Sequence, residues 1–144
     1  MAAPTCTWKY ITNLFGLEPP VTATLEATAS LETKVGTLLI MSSGQVDEAT
    51  ASVVLPVGLA AQKTSAALSA ADPIKVDMLR PGDVIEGTAD ADASALSGFS
   101  GKTVDFNTDG SLDVADTSNG CASVYRTKDA GLTVQIVLSK LAAF

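Results

Sequence analysis

The stretch Ile74-Lys75-Val76-Asp77-Met78-Leu79-Arg80-Pro81-Gly82-Asp83-Val84-Ile85-Glu86-Gly87 decides the fold class. Apolar and polar residues alternate from Ile74 to Leu79, the period of a strand with one buried face. Pro81 presets φ and Gly82 tolerates φ > 0, so Arg80–Asp83 reads as a turn. Val84 then resumes a strand. Outward from this unit the same grammar repeats. Val21 to Thr28 alternates and is rich in Thr, and Thr37 to Met41 is a short apolar run closed by Ser42-Ser43-Gly44. Val53 to Ala60 is another, and its internal Pro56 and Gly58 predict an edge position or a bulge. Thr103–Phe106 and Leu112–Val114 flank Asn107-Thr108-Asp109-Gly110, a hairpin turn. Ala122–Arg126 and Leu132–Leu138 supply the last two strands.

Short strands every ~8–12 residues with Gly-rich turns mark a sandwich or barrel. The expectation is one compact all-β domain, barrel or sandwich, over residues 21–144. At most one or two short helices accompany it, the best placed at Ala89 to Leu96. Its core is expected to take Leu38, Ile40, Val57, Leu59, Ile74, Val76, Val84, Val104, Phe106, Val134, Ile136 and Leu138, the one-face members of the alternating runs.

Residues 1–20 differ. They hold the only Trp, Trp8, with Tyr10, Leu14, Phe15 and Leu17, and end at Pro19-Pro20, which breaks helix and sheet alike. Two readings weigh almost equally: a strand or plug on the protein's own barrel, or an arm whose apolar side chains anchor on a partner. The second is preferred, with Trp8, Tyr10, Leu14, Phe15 and Leu17 as the partner-binding residues. Such an arm would add a strand to a neighbour's edge or lie in its groove.

Composition narrows the function. Nine Lys and Arg stand against 16 Asp and Glu, a net charge of −7. That balance argues against nucleic acid and anionic lipid, both of which need a basic surface. Charged residues make up 17% of the chain, below the usual quarter. An uncharged surface suits one covered by partners, and equally a plain small-residue, Thr-rich β protein. No apolar stretch is long enough to span a bilayer; Ala49 to Gln62 carries Pro56 and Gly58. No positive n-region and apolar h-region open the chain, so no export signal is expected. Cys6 and Cys121 lie far apart without metal spacing and are expected to be buried free thiols, with a long-loop disulfide as the alternative.

There is no histidine. That removes Ser-His and Cys-His nucleophile activation and the commonest metal ligand. The carboxylate pairs Asp90/Asp92 and Asp113/Asp116 fall in polar turns, without the burial a general acid needs. Catalysis is not expected, and neither is a cofactor. Gly98-Phe99-Ser100-Gly101-Lys102-Thr103 has the end of a phosphate loop but Leu96 where the first Gly must stand. The sharpest metal pattern places Asp105, Asn107, Asp109, Gly110 and Asp113 at the first, third, fifth, sixth and ninth positions of a calcium loop, with Asp116 at the twelfth. Strand-like flanks and the shorter Asp116 in place of Glu favour a plain hairpin.

The order of segments from Gly36 onwards resembles the head decoration (cement) proteins of tailed bacteriophages. The similar stretches are Gly36–Val46, Leu55–Gln62 with its Val57-Gly58-Leu59-Ala60, Ile74–Glu86 with its Pro81-Gly82-Asp83 turn, and the closing Gly110–Val114 and Val134–Leu138. The resemblance implies a β-barrel or β-sandwich bound to the major capsid protein on the outside of the virion. It implies a dimer or trimer assembled in the host cytoplasm, stabilising the capsid and needing no cofactor. The alternative is a surface or extracellular β-sandwich binding module of carbohydrate or adhesin type. That role would need export and more exposed aromatics than a chain with 5% of them offers.

Overall fold

The computed structural model describes residues 5–49, 56–118 and 120–139. Their strands run in chain order β1 Lys9–Asn13, β2 Thr22–Glu26, β3 Leu38–Ser42, β4 Gln45–Glu48, β5 Pro56–Ala60 and β6 Pro73–Met78. They continue as β7 Asp83–Thr88, β8 Asp105–Phe106, β9 Leu112–Asp113, β10 Ala122–Lys128 and β11 Thr133–Leu138. All strand pairs are antiparallel. A four-stranded sheet has the order β1-β7-β11-β10, a five-stranded sheet β2-β6-β5-β3-β4, and β8-β9 form a small hairpin. The architecture is sandwich-like, not a closed barrel. Among the described residues the helical content is one 3-10 turn, Ser94–Leu96. It forms the end of the expected Ala89–Leu96 helix, where Asp92 Oδ1 accepts the Ser94 N–H at 2.9 Å. None of the described helices is long and apolar enough to cross a membrane.

The five-stranded sheet curls, and one isolated bridge links its two edges without a ladder between them. Ala27, just past β2, bridges Val46 of β4, and the Thr28 N–H donates to Val46 O at 3.0 Å. Inside the curl Leu39, Val46, Val57, Ile74 and Val76 pack with Leu31. Leu38 and Leu59 belong to a second core, shared with Ile85, Val124, Val134 and Ile136 of the four-stranded sheet. A sheet buried on both faces cannot show clean alternation, which explains the continuous Leu38-Leu39-Ile40 run. Every expected core residue is buried except Ile40, which is half-buried.

Of the two expectations for strand β5, an edge position or a bulge, the structure shows the bulge: Gly58 faces Leu39 and Pro56 faces Ile40, so Val57 is the extra residue. The edge position is corrected, since β5 lies inside the sheet, between β6 and β3. Pro56 is tolerated because it opens the strand, where the register opposite shifts between Leu39 and Ile40. Gly58 is required by close approach: a Cβ there would lie 2.3 Å from Asp77 O. Val53 to Leu55 lie outside the described residues. Cys121 is buried and Cys6 is half-buried, and the two are not joined by a disulfide.

Candidate functional site

The structure departs from a free arm at its first aromatic. Trp8 is 3% exposed. Its Nε1–H donates to Gly110 O at 2.8 Å, and its ring meets Phe106 edge-to-face, centroids 5.5 Å apart. Gly87 makes room, since a Cβ there would sit 2.5 Å from the indole. Backbone bonds fasten the same segment at both ends: Cys6 N–H to Asp109 O and Trp8 N–H to Gly36 O, each 2.8 Å. β1 then pairs with β7, and Tyr10, opposite Ile85, is half-buried. Trp8 is therefore a core residue that joins sheet, hairpin and N-terminal segment. It cannot anchor a partner without unfolding, and the boundary at residue 20 does not separate an arm from the domain.

The remaining expected anchors are presented outward. Leu14 is 41% exposed, Phe15 72% and Leu17 49%; Val21, which sequence reading did not single out, is 71% exposed. The loop bearing them has a fixed backbone. Asn13, buried at the end of β1, donates from Nδ2 to Asp83 Oδ1 at 2.9 Å and to Pro81 O at 3.2 Å. Its Oδ1 accepts the Phe15 N–H at 2.7 Å. Leu14 N–H donates to Gly82 O at 2.8 Å, and the edge of the Phe15 ring packs on Gly82. Buried Asp83 is held in turn by the Arg80 N–H at 2.7 Å and by the Arg80 guanidinium at 3.0 Å. The guanidinium also donates to Glu18 O. The Arg80-Pro81-Gly82-Asp83 turn thus pins a loop far away in sequence. Its turn chemistry was legible; its second task was not.

The calcium-like stretch is a hairpin, with Asp105 opposite Asp113 and Phe106 opposite Leu112. Asp109 turns inward on its own loop. Its Oδ1 accepts the Ser111 hydroxyl at 2.6 Å and the Ser111 N–H at 2.9 Å, and these bonds hold its carboxyl below the ordinary value. Asn107 Nδ2 donates to Asp90 Oδ2 at 3.0 Å. Among the described residues no group of three or more His, Cys, Asp or Glu could hold a metal ion. Asp109→Ala is expected to lower Tm equally with and without added calcium. A calcium-dependent rise in wild-type Tm, lost in the variant, would contradict the hairpin reading.

Glu48, at the end of β4, is a carboxyl set in a buried position. Burial pushes its carboxyl above the ordinary value, and the neighbouring Asp47 charge adds to the push. A carboxyl raised in the folded state holds its proton more tightly there than in the unfolded chain. The stability it contributes is present at low pH and is lost as pH rises through the folded value. Glu48→Gln is expected to raise Tm at about pH 8, with the gain shrinking toward about pH 4. A gain that grows with acid would contradict this.

A scan against protein-family models finds no match for this chain, and a search of curated proteins finds no significant relative.

Proposed function

We propose that this chain is a structural protein that docks on the outer face of an assembled bacteriophage capsid and stabilises it. The observation that carries the reading is the set Leu14, Phe15 and Leu17, exposed on a loop whose backbone is pinned by buried Asn13 and Asp83, with exposed Val21 at its far end, where Val21 O accepts the Met78 N–H. Apolar side chains held outward on a fixed backbone call for a cover. Fixing the loop beforehand lowers the ordering entropy that binding would otherwise cost. The segment order from Gly36 onwards supplies the identity of the lattice. An acidic surface keeps the protein off packaged DNA. Single contacts of this size are modest, so a dimer or trimer presenting several loops at a local symmetry axis gains by avidity. The role asks for no catalysis and no cofactor.

Quantitative protein analysis of purified particles from the phage encoding the chain tests this. The chain is expected in a fixed stoichiometry to the major capsid protein. Its absence from washed particles would overturn the proposal.

A further inference from the structure

The docking loop is held by two separate clamps, which divide it at Gly16. The first half is fastened by Asn13 and by the β6–β7 turn. Phe15 N–H donates to Asn13 Oδ1 at 2.7 Å, and Leu14 N–H donates to Gly82 O at 2.8 Å. Gly16 then turns the chain at φ 74°, a conformation that glycine adopts without strain. The second half has fewer fixed points. Leu17 N–H reaches Asn13 Oδ1 only at 3.4 Å, longer than a well-made bond. Pro19 and Pro20 have no N–H to donate. The next backbone bond comes at Val21, whose O accepts the Met78 N–H at 3.0 Å. Among the described residues the one hydrogen bond to Glu18, Pro19 or Pro20 is from the Arg80 guanidinium to Glu18 O.

Arg80 can direct that bond because its own place is fixed. Its backbone N–H donates to Asp83 Oδ2 at 2.7 Å, with Nε 3.3 Å from the same oxygen and Nη2 3.0 Å from Oδ1. Asp83 is 2% exposed, and its Oδ1 also accepts Asn13 Nδ2 at 2.9 Å. A guanidinium is planar and its N–H groups point in fixed directions. One edge grips both carboxylate oxygens, and that grip aims Nη2 at Glu18 O. A lysine ammonium is a point charge on a flexible stem and sets no such direction.

We propose that Arg80 is a positioning residue of the docking site, acting through Glu18 O to set Leu17 in place before a partner arrives. The inference rests on the capsid reading and adds a division of labour to it. Asn13 and Gly82 set Leu14 and Phe15, and Arg80 sets Leu17. Without Arg80, residues 17–20 must be ordered during binding, at a cost in affinity.

A double-mutant cycle on the full chain tests this, read by sedimentation with phage particles stripped of the native protein. Arg80→Lys should weaken binding about three- to tenfold, the cost of ordering one side chain on binding. The same loss should recur in a Phe15→Ser background. In a Leu17→Ser background Arg80→Lys should change affinity less than about twofold, because the two substitutions remove one contribution. Amide relaxation of the free chains is the second readout. Order at Leu17 and Glu18 should drop toward about 0.6 in Arg80→Lys, while Leu14 and Phe15 stay near about 0.85. Arg80→Gln replaces the lysine variant if thermal unfolding shows that the latter does not fold, with the same expectations. Full affinity of the variant, an equal loss in the Leu17→Ser background, or unchanged order at Leu17 and Glu18 would each overturn the proposal. If the wild type itself fails to bind particles, the capsid reading falls and takes the docking role with it. The relaxation data then show separately whether Arg80 holds the loop.

Discussion

Trp8→Ala is expected to destabilise the protein by about 3–5 kcal/mol, the range for emptying a buried large aromatic site. The indole fills the space left by Gly87 and meets Phe106, and its N–H satisfies Gly110 O. Removing it opens a cavity and orphans a buried carbonyl together, and each cost adds to the other. Trp8→Phe keeps much of the packing and should cost markedly less. Deleting residues 1–20 should be worse than either, because it also removes β1 and Asn13 from the four-stranded sheet. Urea unfolding of the point variants measures this. A Trp8→Ala loss below about 1 kcal/mol, the scale of an ordinary surface substitution, would mean that the indole is not part of the core.

Sequence reading reached the fold class because most strands keep a local signature. Ile74 to Leu79 and Val134 to Leu138 alternate, and the Arg80–Asp83 and Asn107–Gly110 turns carry their own residue chemistry. For residues 1–20 the structure favours the reading that was not preferred, a strand on the protein's own sheet, and the preference went astray for a physical reason. β1 is the outer strand of its sheet, with exposed Lys9 and Ile11, so Lys9-Tyr10-Ile11-Thr12-Asn13 has no alternating face to read. For β5 the bulge half of the reading held and the edge half did not, because a register shift accommodates Pro56 inside a sheet buried on both faces.

The candidate site was half legible. Leu14, Phe15 and Leu17 are exposed as the partner-binding reading requires, but Trp8 looks no different from them in sequence. What separates them is long-range: Gly87 and Gly110 receive Trp8, whereas Phe15 finds only the open edge of Gly82. Asn13 gave no signal at all, since its value depends on Asp83, 70 residues later.

The claim that this loop docks on a capsid has its own variant. Leu14→Ser, Phe15→Ser and Leu17→Ser together remove the apolar side chains while keeping Asn13, Asp83 and the backbone bonds that hold the loop. Because these side chains are largely exposed, the fold should lose little stability. Binding should suffer far more: hot-spot apolar contacts are worth about 2 kcal/mol or more each, and avidity multiplies the loss across the copies in an oligomer. The direct measurement mixes wild-type and triple-variant chains with phage particles stripped of this protein, then quantifies what sediments with them. Saturable binding of the wild type is expected, with a loss of at least about a hundredfold in the folded variant. Undiminished binding of the variant would contradict the claim.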